Sequence, residues 1–289
     1  MSNSSISENR AQVCVLTEIP VIAPKRIVRV IKQGAVADMV FTDKKPVQGV
    51  RKISKSQYVV IGTGEIKEYR QTDTKQADSL RKTFTKLRQL INTNFHVNDS
   101  ELFLTLTYAE NMQDPERLYI DYKNFFKRLR YSLENRELAY IAIAEPQGRG
   151  AWHLHVLLKS VDGKHLYIDN RQMQELWGLG WTETKRLKGD NPGAYFVAYF
   201  QNTEEEHPGL IADPRKAKKF KKGGRLKFYP KDFKFFRTSR NIEKPVSETM
   251  TYEKVLAEYG QPIYGQAFQL VEGEEVKNTI IKQQFNKKR

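Results

Sequence analysis

The chain has 289 residues, one cysteine and a formal net charge of +15, from 49 Lys and Arg against 34 Asp and Glu. The lone Cys14 excludes an intrachain disulfide and fits a reducing cytoplasm, the expected location. Met1 to Arg10 lack the apolar core of a secretion signal and no apolar run reaches membrane-span length, so no membrane partner is expected, while the cationic excess favours nucleic acid.

Residues 1–12 read as a disordered leader. Residues 13–98 form an N-terminal extension of unassigned role, with short β-like runs at Ile27 to Ile31 and Tyr58 to Ile61. A helix is predicted over Gln76 to Asn94, where Leu80, Phe84, Leu87, Leu90 and Ile91 share one face. Leu102 to Tyr108 alternates as a strand. The next helix runs from Pro115 to Glu134, burying Leu118, Tyr122, Phe125, Phe126 and Leu129 and turning Lys123, Lys127, Arg128 and Arg130 outward.

Leu138 to Glu145 is a second strand, Pro146 to Gly150 a turn, and Ala151 to Leu158 a third strand. Side chains alternate across a strand, so His153 and His155 point the same way and can bind one ion together. If the two strands form a hairpin around the five-residue turn, Glu145 faces Ala151 and Ile143 faces His153. Glu145 then shares the histidine face, and the parity suits a three-ligand site. Residues 170–178 read as a short helix, Gly178 to Trp181 as a turn, and Gly193 to Gln201 as a helix that carries Tyr195 and Tyr199 one turn apart.

The segment 215–240 holds twelve Lys or Arg against the single acid Asp232. Phe220, Phe228, Tyr229, Phe233, Phe235 and Phe236 are interleaved with these cations. Rings of this kind stack on unpaired bases while cations follow the backbone. The expectation is that the aromatics pack inward and that Lys218, Lys219, Lys221, Lys222, Arg225, Lys227, Lys234, Arg237 and Arg240 meet DNA phosphates. Residues 241–289 form a C-terminal extension with a short helix near Thr251 to Glu258, a strand and a basic end.

These types suit phosphodiester chemistry. Two imidazoles and a carboxylate leave open positions on a divalent ion, which can polarise a phosphate oxygen. A tyrosine hydroxyl can attack phosphorus and keep the bond energy in a covalent link, so that a later hydroxyl can rejoin the strand.

In their order and spacing, Phe103-Leu-Thr-Leu-Thr-Tyr108, Trp152-His-Leu-His-Val-Leu-Leu158 and Tyr195-Phe-Val-Ala-Tyr199 resemble the three motifs of the HUH endonuclease superfamily. The nearest type is the rolling-circle replication initiator (Rep) of bacterial plasmids and phages. The resemblance spans residues 100–240, making 99–240 the nuclease domain. It implies an α+β fold, an antiparallel sheet with flanking helices (a ferredoxin- or palm-like core) between the two extensions. It also implies Mg²⁺ or Mn²⁺ on His153, His155 and Glu145, with Tyr195 or Tyr199 as nucleophile and Tyr195 preferred. The expected substrate is single-stranded or hairpin origin DNA, cut through a 5′-phosphotyrosine intermediate. Many relatives place a lysine three residues after the nucleophile; here Ala198 and Asn202 stand there, leaving Lys185, Lys188 or the 215–240 segment to supply a cation. No Gly-x-x-x-x-Gly-Lys-Ser/Thr motif occurs, so unwinding would need a host helicase.

A transposase or relaxase would share this chemistry, and a non-catalytic nucleic-acid binder would share the basic segment. A cupin-type oxygenase needs a glutamate where Lys159 and Ser160 stand, and a zinc deaminase needs a Cys-x-x-Cys pair that one cysteine cannot form.

Overall fold

The computed structural model describes residues 12–44, 50–54, 56–61, 64–68, 73–147, 149–201, 229–230 and 233–289, apart from the side chains of residues 73–78, 80 and 198–201. The leader expected over residues 1–12 lies outside them except for Gln12. In chain order the first elements are β1 (Gln12–Leu16), β2 (Ile27–Gln33), β3 (Val36–Thr42), β4 (Val50–Lys52), β5 (Gln57–Val60), β6 (Ile66–Glu68) and α1 (Asp73–Asn94). There follow β7 (Glu101–Thr107), α2 (Pro115–Ser132), β8 (Leu138–Pro146), β9 (Trp152–Ser160), α3 (Asn170–Trp177) and β10 (Thr182–Lys185). The last are α4 (Pro192–Gln201), β11 (Phe236–Thr238), β12 (Val246–Thr251), α5 (Tyr252–Tyr259), β13 (Tyr264–Glu272) and β14 (Glu275–Asn286). The protein is α+β with antiparallel sheets, as the sequence predicts. No described helix is long and apolar enough to cross a membrane.

The chain divides into two compact units, Met1–Thr83 with Pro245–Arg289, and Phe84–Lys244. The first unit joins both sequence extensions in one sheet of order β1-β13-β14-β3-β2-β12. Helix α5 covers one face, where Tyr252, Val255 and Tyr259 pack with Val28, Val30, Met39 and Phe285. Strands β4, β5 and β6 form a separate small sheet.

The second unit is built on a sheet of order β10-β7-β9-β8-β11, with antiparallel neighbours throughout. Helix α2 forms because Asp114 caps it, its side chain accepting from the Glu116 amide at 2.8 Å, and Pro115 sits in the first turn where no amide is needed. Its stripe of Leu118, Tyr122, Phe125, Phe126 and Leu129 is buried against Leu154, Val156 and Leu158 of β9. Each such large side chain stabilises the fold by about 1.5–3 kcal/mol. Helix α3 lies on the same side, capped by Asp169 and stopped by left-handed Gly178. Arg128, predicted to face outward, donates to the carbonyls of Leu176 and Trp177 at the end of α3. On the opposite face, Leu87, Leu90 and Ile91 of α1 and Phe196 of α4 pack with Ile141, Ile143 and Leu157. That second face also carries the histidines.

Candidate metal centre

Strands β8 and β9 form the expected hairpin, but the register is displaced by two residues. Pro146 extends β8 and pairs with Trp152, so Glu145 stands opposite His153 and Ile143 opposite His155. The loop is therefore Gln147 to Ala151, closed by a 2.7 Å bond from the Gln147 amide to the Ala151 carbonyl and turned at Gly150, φ 89°. A shift of two keeps every side chain on its face, so the expected parity survives and brings the carboxylate nearer. Trp152 fixes this end of the hairpin. Its amide donates to Met112 O, its indole N–H to Gln113 O, and its ring stacks on Phe233 at 4.8 Å.

Three donor atoms converge. His153 Nε2 and His155 Nε2 are 2.7 Å apart, and each is 3.0 Å from Glu145 Oε2. All three residues are buried. Ligands at right angles on an ion with bonds near 2.1 Å lie about 3 Å apart, so the triangle has the dimensions of three adjacent positions on one octahedral face. Two imidazoles and one carboxylate suit a divalent transition ion with open positions. The surroundings steer His155. Thr105 Oγ1, across β7, lies 3.4 Å from its Nδ1, and Phe103 stacks on the ring at 5.5 Å. A hydroxyl on Nδ1 can hold the tautomer that leaves Nε2 bare for a metal. His153 Nδ1 is buried without a hydrogen-bond partner among the described residues.

Burial opposes the charge on Glu145, but hydrogen bonds and charge from His153 and His155 outweigh it and hold the carboxyl at about 2, below its ordinary 4.5. A group lowered in this way adds stability above pH 4.5 that is lost as the pH falls through about 2. In metal-free protein, Glu145→Gln is expected to flatten the acid limb of the unfolding curve across that window. A limb as steep as in the parent protein would show that the carboxylate is not held by the imidazoles.

Helix α4 is seated by two buried asparagines. Asn191 caps it, its Oδ1 accepting from the Ala194 amide at 3.1 Å, and Asn92 of α1 donates to the same Oδ1 at 2.9 Å. Asn92 Oδ1 accepts from the Gly193 amide at 2.8 Å. Glycine is required at 193 because a Cβ there would overlap Arg88 O and come within 2.6 Å of Asn92 Oδ1. The helix presents Tyr195 to solvent, 58% exposed, and buries Phe196, whose ring contacts Phe103 at 4.8 Å. Phe103 thus touches both the helix and His155. Tyr199 belongs to α4 by its backbone, and its side chain lies outside the described residues. The asparagine seat went unread because neither residue belongs to a motif and they lie 99 positions apart.

Of the predicted DNA-contacting cations, Lys218, Lys219, Lys221, Lys222, Arg225 and Lys227 lie outside the described residues. Lys234 and Arg240 are exposed. Arg237 pairs with Ala142 on the face away from the imidazoles, its guanidinium 4.3 Å from the Tyr119 ring. The described aromatics of the segment do pack against the unit, with Tyr229 donating to Ala144 O and Phe233 on Trp152. Lys185 is exposed on edge strand β10, paired with Glu183 at 2.7 Å.

No curated protein and no solved structure matches the chain. A family model of replication-associated proteins, the ORF2 group, matches residues 101–204, the stretch that holds Glu145, His153, His155 and Tyr195, and this similarity supports a replication initiator.

Proposed function

We propose that the chain is a rolling-circle replication initiator of the HUH type, which nicks and rejoins single-stranded or hairpin origin DNA. The observation that carries this reading is the convergence of His153, His155 and Glu145 beside a helix that presents Tyr195. The family match favours replication over transposition or conjugation. Bound Mg²⁺ or Mn²⁺ would draw charge from a non-bridging phosphate oxygen. His153 and His155 hold their Nε2 atoms toward the ion, and Glu145 lends the charge that balances it. The Tyr195 hydroxyl gives up its proton and bonds to phosphorus, and the 3′-oxygen leaves as a free 3′-hydroxyl. That hydroxyl can reverse the step and restore the strand. Exposed cations of the 215–240 segment hold the backbone, a host helicase opens the duplex, and the work is cytoplasmic.

The test is to incubate the protein with a labelled single-stranded origin oligonucleotide and Mn²⁺ and to map the modified residue. A covalent nucleotide on Tyr195, absent with EDTA and absent in Tyr195→Phe, is expected. An adduct on Tyr199 would reverse the order of the two tyrosines. Metal-independent cleavage, or none at all, would overturn the assignment.

A further inference from the structure

The segment after α3 does not stay a turn. The Ala109 amide donates to Leu179 O and the Thr107 amide to Trp181 O, each at 2.9 Å, and Thr107 Oγ1 donates to Trp181 O at 2.8 Å. These bonds extend the β10–β7 register, in which Thr182 faces Leu106, so that Trp181 faces Thr107. Thr107 faces His153, and His153 faces Glu145. Residues directly opposite one another share a face. Glu145, His153, Thr107 and Trp181 therefore form one row across four adjoining chain segments. Two strand spacings put Trp181 about 10 Å along that row from His153.

The position is enforced. A Cβ at Gly180 would overlap Thr107 O and lie 2.5 Å from the Ala109 amide nitrogen, so only glycine lets the backbone close against β7. Trp152 and Trp177 are buried, with indole N–H groups bonded to Gln113 O and Thr107 O, whereas Trp181 is 56% exposed. Farther along the same edge and face stand Glu183 and the exposed Lys185. A large flat ring left in water beside a phosphate-handling centre suits an unpaired base, which stacks on aromatic side chains whatever its identity.

We propose that Trp181 is a stacking platform for an unpaired nucleobase of the strand whose phosphate is held at His153, His155 and Glu145. This subsite rests on the nicking reading above. It places the bound strand across β9 and β7 toward the β10 edge, and it disfavours paired bases, whose faces are already stacked.

Trp181 is the exposed one of three tryptophans, so intrinsic emission reports on it directly. Full-length protein in EDTA is titrated with single-stranded oligothymidylate and with a blunt duplex, and binding is followed in parallel by anisotropy of a labelled strand. Saturating single strand should quench the emission and duplex should not. Trp181→Ala should weaken single-strand binding roughly 5- to 100-fold, and Trp181→Phe, which keeps a ring, should recover most of the loss. Single-strand binding with undisturbed emission and an unaffected Trp181→Ala overturns the platform alone, provided the tyrosine adduct still forms. Neither binding nor adduct overturns the platform together with the nicking reading.

Discussion

Replacing His153 and His155 together by alanine is expected to abolish metal-dependent cleavage. Three donors become one, and a lone carboxylate cannot define three adjacent coordination positions. Even groups that only orient a ligand contribute 10- to 100-fold to metal affinity, so a loss of at least about 100-fold in Mn²⁺ binding is expected by calorimetry. The double variant also strands Glu145, a carboxylate whose hydrogen bonds run to both imidazoles. Removing the partner of a buried charge costs about 3–5 kcal/mol, enough to confuse lost ligation with lost folding. Adding Glu145→Gln removes that charge. The triple variant should therefore unfold at a higher temperature than the double variant and remain inactive. Cleavage by either variant under strict EDTA control would mean that the centre plays no part in the chemistry.

Gly193→Ala is expected to cost one to two orders of magnitude in tyrosine adduct. A Cβ at this position presses on Arg88 O and on Asn92 Oδ1, the atom that receives the Gly193 amide. The start of α4 must then lift away from α1, and Tyr195 lies only two residues farther on. A displacement near 1 Å at a reacting group can lower the rate about 100-fold. Overpacking of this kind also destabilises by about 1–3 kcal/mol. The informative measurement pairs thermal unfolding with adduct yield at a temperature where the variant is fully folded. A folded Gly193→Ala protein with undiminished adduct would show that the seat of α4 does not set the position of the nucleophile.

Local patterns made much of the second unit legible. The apolar stripe of α2 and the alternation in β7, β8 and β9 are written within single elements, and each reappears in the core. The shared face of Glu145, His153 and His155 was legible for the same reason, since parity depends only on counting along two adjoining strands. Register was less accessible, because it depends on whether Pro146 ends a strand or extends it, and Trp152 decides that through bonds to distant Met112 and Gln113. Strand β10 left no signal, since Thr-Glu-Thr-Lys is too short to show alternation and Gly-Leu-Gly before it imitates a turn. Gly180 is present for close approach to β7 rather than for chain reversal. The shared sheet of the first unit was invisible in principle, as pairings such as Ile280 with Thr42 join residues with most of the chain between them.

That last pairing bears on how the protein is made. Lys44 donates its amide to Asn278, 234 positions later, and β3 acquires its neighbour β14 only then. At roughly 5–20 residues per second, a ribosome takes about 10–50 s to cover that gap. Phe84–Lys244 has emerged entire by that time and can mature first, while β2 and β3 wait with one hydrogen-bonding edge apiece unmatched. Chaperone occupancy during translation should accordingly concentrate on the earliest strands rather than on the nuclease segment.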